Sequence, residues 1–185
     1  MKAVTFSYDD GVTQDIRLVE ILNRYNLKAT FNLNSELLGK DGSLDILGKR
    51  ILHNKIQPHE ITEVYKGHEI AAHTLTHPDM TEMPADEVIR QVEQDRLNLS
   101  ELSGTEVIGM AYPGSQPNYN SRIARIIKNG TGVKYARTTI CNKDFSYQSD
   151  LYEFHPSVFH RDWDQLYKLA EKFVELDPKS EKIFY

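Results

Sequence analysis

The sequence has few of the features that mark several large classes of protein. It has a single cysteine, Cys141, in 185 residues, so no disulfide can form within the chain. No apolar run approaches the roughly 18 residues that a membrane-spanning helix needs. No segment is rich in lysine and arginine, and 27 acidic residues outnumber 22 basic ones, for a net charge of −5. We therefore expect neither a nucleic-acid partner nor a membrane span.

The first residues also lack the basic and then apolar pattern of a secretory leader. The sequence as given therefore predicts a cytoplasmic protein, unless a leader has been removed. Hydrophobic residues make up 39% and charged residues 26%, which is typical of a globular domain. At 185 residues the chain is long enough for one domain with a sizeable core. It is shorter than the roughly 250 residues of a complete eightfold (β/α) barrel. Its oligomeric state stays open.

Short apolar runs alternate with helical stripes along the chain. Five segments are typical of strands, with 151–154 as a candidate sixth and 182–185 as the start of another: 2–8, 28–33, 69–73, 107–111 and 133–139. Helical periodicity lies between them, whereas 34–57 has no clean period and is interpreted as a long connection with one or two helical turns. The alternation predicts an α/β fold with a parallel sheet and outer helices. The pattern alone does not separate a barrel from an open doubly wound sheet.

Two short motifs stand at predicted strand ends. Asp9 and Asp10 precede Gly11, and glycine permits the turn that would let both carboxylates serve one site. His73 and His77 stand four positions apart, a spacing at which two imidazoles can share a metal. Each motif alone also fits an ordinary turn or a pair of solvated histidines. Together they supply an Asp/His/His ligand set and one further carboxylate as a base, which suits a catalytic zinc.

The order Ser-Tyr-Asp-Asp-Gly and then His-Thr-Leu-Thr-His-Pro resembles the first two motifs of the polysaccharide deacetylases, carbohydrate esterase family four with its NodB-homology domain. The resemblance implies a distorted, incomplete (β/α) barrel and one catalytic domain over residues 1–185, truncated at its C-terminus. It implies Asp10, His73 and His77 as ligands of a divalent metal, with Zn²⁺ preferred, and Asp9 as the catalytic base. The implied reaction removes N-acetyl or O-acetyl groups from a polysaccharide or oligosaccharide, so an acetylated sugar is the expected partner. Among hydrolases this is a deacetylase acting on carbon–nitrogen bonds other than peptide bonds.

A third family motif, an arginine-containing turn, falls at Ala111-Tyr112-Pro113-Gly114. The resemblance implies the Gly114 N–H as a donor to the oxyanion, with Tyr112 and Pro113 beside the substrate. Ala111 stands at the arginine position, so the usual clamp on the base carboxylate is missing or is supplied from elsewhere. Without the resemblance, this loop is simply a Pro-Gly turn.

Two later family motifs are matched less closely. Asp162-Trp163 resembles the family's Asp-Trp pair, and Trp163 would offer an apolar wall to an acetyl methyl group or a sugar face. No late strand ends in a histidine that could act as the general acid. His160 is the predicted substitute, and His155 is the other candidate.

Two other functions stay open at this stage. The missing arginine and late histidine favour a catalytically impaired carbohydrate-binding relative, and related proteins also hydrolyse non-sugar C–N bonds. The chain has no Gly-x-Ser-x-Gly elbow, phosphate loop or dinucleotide fingerprint. We therefore expect neither a serine nucleophile nor a nucleotide cofactor.

Overall fold

The computed structural model describes residues 1–185 and has strands and helices in alternation. The strands are β1 (Lys2–Val4), β2 (Phe6–Asp9), β3 (Ala29–Leu33), β4 (Ser43–Ile46), β5 (Lys49–Leu52), β6 (Glu69–Ala72), β7 (Gly109–Ala111), β8 (Tyr135–Arg137) and β9 (Lys182–Phe184). The helices are α1 (Asp15–Arg24), α2 (Ile61–Val64), α3 (Ala85–Ile89), α4 (Asp95–Ser103), α5 (Ser121–Gly130) and α6 (Trp163–Glu175). A π-helical segment, Arg90–Gln94, joins α3 to α4.

The central sheet has five parallel strands in the order β2-β3-β6-β7-β8. β1 and β9 form a separate parallel pair, and β4 and β5 form an antiparallel hairpin. The sheet curls into half a barrel with helices outside it. The predicted fold class, a distorted and incomplete (β/α) barrel, is therefore confirmed.

The main core lies between the sheet and its outer helices. Every residue of β3 is buried, as expected for a central strand covered on both faces. On α5, Ile123 and Ile127 are fully buried four positions apart, which places one face of the helix on the sheet. Asn120 caps that helix by accepting a hydrogen bond from the Ile123 N–H at 3.0 Å. A second, smaller cluster packs α6 on β9 through Leu169, Phe173, Phe145 and Phe184. None of the helices is long and apolar enough to cross a membrane.

The structure corrects three of the predicted segments. The first predicted strand is two strands, because β1 pairs with β9 and β2 pairs with β3. The candidate strand at 151–154 is a 3₁₀ turn at Leu151–Glu153, where the Asp150 carboxylate accepts a hydrogen bond from the Tyr152 N–H at 2.9 Å. Only Phe154 pairs with β8, through a single parallel bridge to Arg137. The connection at 34–57 has the expected helical turn, a 3₁₀ turn at Ser35–Leu37, but it also contains the unpredicted β4–β5 hairpin. Its turn has positive φ at Leu47 and Gly48, 51° and 75°, and leucine is an unusual residue at the first of these positions.

The helical stripe between β6 and β7 is continuous in sequence but not in geometry. The π-helical turn at Arg90–Gln94 frees a backbone carbonyl from the helix ladder. The Gln91 carbonyl accepts a hydrogen bond from the Leu75 N–H at 3.0 Å. The irregular helix therefore holds the loop that follows β6, in which both histidines of the second motif lie.

Candidate active site

The chemically reactive side chains converge at one edge of the sheet. Asp9 ends β2 and Arg137 ends β8, while His73 follows β6 and Gly114 lies just beyond β7. Parallel strands bring their carboxyl ends together, and this edge is where barrel folds build their active sites. The topology therefore assembles one site from four strands.

The two adjacent aspartates reach the same site because β2 ends between them. Asp10 has φ 82° and Gly11 has φ 60°, and consecutive left-handed residues reverse the alternation of an ideal strand. Only a glycine fits at the second position, since a Cβ there would lie 2.7 Å from the Leu33 Cδ2 atom.

Three of the predicted side chains form a cluster that can hold a metal. The ligand atoms of Asp10, His73 and His77 all lie within 4.8 Å of one another. The His77 Nε2 atom is 3.9 Å from the Asp10 Oδ1 atom, and the two imidazole rings meet edge to face at 5.0 Å between centroids.

The hydrogen bonds of the two rings fix which nitrogen of each is unprotonated. The His73 Nδ1 atom faces the Ala111 carbonyl oxygen at 2.9 Å, so this nitrogen carries the proton and Nε2 is unprotonated. The His77 Nε2 atom accepts a hydrogen bond from the Gly114 N–H at 3.2 Å, so it is also unprotonated, and it can bind a metal once it gives up this hydrogen bond. Two imidazole nitrogens and a carboxylate oxygen are donors that suit Zn²⁺. The residues present therefore fit a divalent metal.

The backbone before His77 is held by two buried polar side chains that sequence reasoning missed. The Asp95 carboxylate accepts hydrogen bonds from the backbone N–H groups of His73 and Ser35, at 2.9 and 2.7 Å. Burial raises the pKa of Asp95 to about 7. Asn34 donates to the carbonyl oxygens of His73 and Thr74, at 2.6 and 2.8 Å. In the sequence, Asp95 was visible only as an interruption in an apolar stripe.

Arg137 is the clamp on the Asp9 carboxylate, a role that the sequence did not assign to any residue. Its Nη2 atom donates to both carboxylate oxygens of Asp9, with the Oδ2 contact at 2.6 Å. Asn32 donates a further hydrogen bond to Asp9 Oδ1 at 2.8 Å. Burial by itself would raise the pKa of Asp9, but the positive charge of Arg137, with His73 and these hydrogen bonds, lowers it to about 2. Asp9 is therefore ionised and fixed in orientation, although Ala111 stands at the family's arginine position.

The loop after β7 forms one wall of a small cleft. Pro113 and Gly114 line this space of about 160 Å³ together with His77. Gly114 has φ 83°, and its N–H points toward the His77 ring. Asn118 braces the loop through hydrogen bonds to the carbonyl oxygens of Tyr112 and Gly114, at 3.2 and 3.3 Å.

Tyr112 needs a correction. It was expected beside the substrate, but its side chain is 1% exposed. Its hydroxyl donates to the Tyr152 carbonyl oxygen at 2.8 Å. The ring belongs to the core, and of the three predicted residues on this loop only Pro113 and Gly114 line the cleft.

The remaining predicted residues lie on the segment before α6 and at the first residue of that helix. His160 is exposed, and its ring lies 5.8 Å from that of Tyr8, beside Asp9. The His155 Nδ1 atom is 2.7 Å from the Thr138 hydroxyl. Trp163 is 60% exposed and stacks on Tyr167, one turn along the same helix. The roles assigned to His160 and Trp163 stay predictions.

Sequence reasoning also missed two residues beside the metal cluster. The segment after β5 places the Lys55 Nζ atom 3.3 Å from Asp10 Oδ1, and the His53 Nε2 atom 3.4 Å from Asp10 Oδ2. Their approach depends on the unpredicted hairpin, so no local sequence signal could have found them.

Comparison with known proteins agrees with this architecture. A bifunctional xylanase/deacetylase from Pseudobutyrivibrio xylanivorans is 27% identical over 107 residues, which are 57% of this chain and 15% of that protein. The chain thus spans a small part of the length of that curated relative.

Two solved structures share the fold at low sequence identity. The Streptococcus pyogenes deacetylase PplD, in complex with acetate, superposes with a TM-score of 0.65 at 21% identity, over 80% of this chain and 61% of that one. A family-four carbohydrate esterase pseudoenzyme from Bacillus anthracis superposes with a TM-score of 0.56 at 18% identity, over 100% of this chain and 54% of that one. The family model described as polysaccharide deacetylase matches residues 1–136, and the chain therefore belongs to the polysaccharide deacetylase family.

Proposed function

We propose that this protein is a metal-dependent hydrolase that removes acetyl groups from an acetylated polysaccharide or oligosaccharide, and that it prefers N-linked to O-linked acetyl groups. The observation that carries the proposal is that the ligand atoms of Asp10, His73 and His77 lie within 4.8 Å of one another. Beside them, Arg137 at the end of β8 fixes the carboxylate of Asp9. A bound structural metal would need a fourth protein ligand, whereas three ligands leave positions for water and substrate.

The metal proposed for the site is a divalent ion, preferably Zn²⁺, held by Asp10, His73 and His77. Such an ion supplies a Lewis acid and lowers the pKa of a bound water toward about 7. The remaining chemistry belongs to side chains and backbone groups of the chain itself.

Asp9 is the proposed general base. Its carboxylate is ionised at neutral pH because its pKa is held near 2, and Arg137 keeps both oxygens in one orientation. It takes a proton from the attacking water as the new C–O bond forms. The low pKa makes it a weak base, so the geometry of the clamp matters more than basicity.

The negative charge that develops on the acetyl oxygen needs a donor beside it. The Gly114 N–H donates to the His77 nitrogen at 3.2 Å, and this N–H becomes available to an acetyl oxygen when the His77 nitrogen holds the metal instead. One such donor is typically worth about 3 kcal/mol in the transition state. His160 then gives a proton to the departing sugar amine as the C–N bond breaks. The products are acetate and a free amine.

A catalytically impaired carbohydrate-binding protein is the second candidate. The observation in its favour is the Lys55 ammonium, which lies on the proposed metal ligand Asp10 at 3.3 Å. The Arg137 clamp argues against it, since a decayed site would have no need to orient Asp9.

Acetate release separates the two candidates. The purified chain would be assayed with added Zn²⁺ on N-acetylated chito-oligosaccharides and on O-acetylated xylo-oligosaccharides. We expect release with a preference for the N-acetyl substrate, loss of both metal and activity in Asp10→Ala, and retained metal with lost activity in Asp9→Asn. Asp86→Asn, on the exposed first turn of α3, is the matched control. Sugar binding without acetate release in the wild type would favour the second candidate.

A further inference from the structure

The segment that follows the β4–β5 hairpin places two nitrogen-bearing side chains beside one carboxylate. Lys55 Nζ lies 3.3 Å from Asp10 Oδ1, and His53 Nε2 lies 3.4 Å from Asp10 Oδ2. Each oxygen of this carboxylate therefore has its own neighbour. Asp10 Oδ1 is also the oxygen that lies 3.9 Å from the His77 nitrogen, so Lys55 contacts the oxygen that faces the other proposed ligands.

Lys55 is fixed in this position by its backbone. It forms a bridge with Val12, two residues beyond Asp10, and its N–H donates to the Lys40 carbonyl oxygen at 2.9 Å. The next residue, Ile56, is fully buried and donates to the Gly11 carbonyl oxygen at 2.8 Å. The Lys55 side chain is 9% exposed. Its ammonium is therefore held on Asp10, unlike the head group of an ordinary surface lysine.

The charges of the site are balanced in pairs. Arg137 neutralises Asp9, and Lys55 neutralises Asp10. A divalent cation is attracted by uncompensated carboxylates and repelled by a nearby ammonium, and both effects are strong where solvent is partly excluded. The second ion pair should therefore weaken metal binding, while the first lies on the carboxylate that is not a ligand.

We propose that Lys55 is a built-in competitor for the metal ligand Asp10, and that it lowers the affinity of the site for divalent metal. The inference rests on the metal site in the proposed function. A divalent ion and the Lys55 ammonium share Asp10 Oδ1, so metal binding requires the ammonium to leave that oxygen or to remain beside a dication. The site accordingly binds its metal less tightly than the same three ligands would without Lys55.

The test is the affinity for Zn²⁺ and Co²⁺, measured by competition with a chromogenic chelator at one pH and ionic strength. We expect Lys55→Met to bind both ions at least tenfold more tightly than the wild type, and Lys55→Arg to bind them like the wild type. Lys49→Met is the matched control, because it removes the same charge at an exposed position of the hairpin strand that precedes Lys55. Its affinity should stay within twofold of the wild-type value.

A Lys55→Met affinity equal to or weaker than that of the wild type overturns the inference. Lys55→Gln, which keeps a polar head group, gives the same comparison if the methionine variant does not fold. The result also separates this inference from the proposed function. Tight wild-type binding with no gain in either neutral variant refutes only the competitor, whereas no binding in the wild type or in either neutral variant refutes the metal site as well.

Discussion

The Arg137 guanidinium binds both carboxylate oxygens of Asp9 through a single nitrogen, with the Oδ2 contact at 2.6 Å. The two residues are 128 positions apart in sequence and end the two outer strands of the five-stranded sheet. Curling of the sheet is what brings its edges close enough for this contact. The proposed base is therefore positioned by the barrel itself and not by its own loop.

Replacing Arg137 should impair turnover more than substrate binding. We expect Arg137→Met to lower kcat on an N-acetylated oligosaccharide by at least a hundredfold with KM nearly unchanged, because Asp9 loses its orientation. Arg137→Lys should recover part of the loss, since an ammonium keeps the charge but not the fork geometry. Steady-state kinetics check both values.

The same substitutions carry a stability cost. Arg137 is 7% exposed, but the Asp9 side chain is 33% exposed, so the loss should fall below the roughly 3 kcal/mol that breaking a fully buried pair costs. Urea unfolding should show this loss for Arg137→Met and little of it in the double variant with Asp9→Asn, which removes the stranded charge.

A loss in kcat matched by an equal rise in KM would contradict the positioning role.

Asp95 should couple fold stability to metal binding. Asp95→Ala leaves the N–H groups of His73 and Ser35 without their acceptor, at about 1–3 kcal/mol for each buried group. We expect a fall in the free energy of unfolding and a weaker affinity for Zn²⁺, because His73 loses its backbone anchor. Asp95→Asn keeps one acceptor oxygen and should lie between the wild type and the alanine variant.

A matched control for Asp95 lies on the π-helical segment just before it. Gln94→Ala changes an exposed side chain whose partner is Asn98. It should alter neither the unfolding midpoint nor the metal affinity by a measurable amount. Unchanged metal affinity in Asp95→Ala, despite lower stability, would limit Asp95 to a purely structural role.

Much of the fold and the residues of the proposed metal cluster could be predicted from sequence because the signals are local. The period of the apolar residues gives the strands and helices, and two short motifs give Asp9, Asp10, His73 and His77. The first strand, by contrast, was predicted as one element, since the pairing of β1 with β9 joins opposite ends of the chain.

The missed residues all act through contacts that depend on the assembled sheet. Arg137 is an unremarkable residue in a strand until the barrel places it against Asp9. Lys55 reaches Asp10 only because a hairpin with an atypical Leu-Gly turn replaces part of the expected long connection. Asp95 breaks an apolar stripe, and nothing in the stripe indicates that two backbone N–H groups require it.

Asp15 should make stability depend on pH in a direction unusual for an aspartate. It is buried at the start of α1 and accepts hydrogen bonds from the Tyr65 hydroxyl at 2.8 Å and the Val12 N–H at 3.2 Å. Burial raises the pKa of Asp15 to about 7, against an ordinary value near 4. Between about pH 4 and pH 7 the folded state keeps a proton that the unfolded state has released, so the free energy of unfolding falls as pH rises.

Asp15→Asn removes this titration while keeping a similar shape. We expect the stability advantage of the wild type over this variant to shrink steadily from about pH 4 to pH 7, by a few kcal/mol at about 1.4 kcal/mol for each pKa unit. Thermal or urea unfolding at several pH values measures the difference. Asp41→Asn, at an exposed position, is the control. Parallel stability curves for the wild type and Asp15→Asn would refute the prediction.

The contribution of His160 to the rate should be large for a leaving group that needs a proton and small for one that does not. An amine must be protonated as it leaves, and general acid catalysis is typically worth about 10² to 10⁴ in rate. We expect His160→Gln to lower kcat on an N-acetylated sugar by a factor in this range, and to change hydrolysis of 4-nitrophenyl acetate by less than threefold, since nitrophenolate leaves without a proton. His155→Gln is the matched control, because the His155 Nδ1 atom contacts the Thr138 hydroxyl at 2.7 Å. Equal losses on both substrates in His160→Gln would indicate a structural role, and a leaving-group-dependent loss confined to His155→Gln would transfer the acid to that residue.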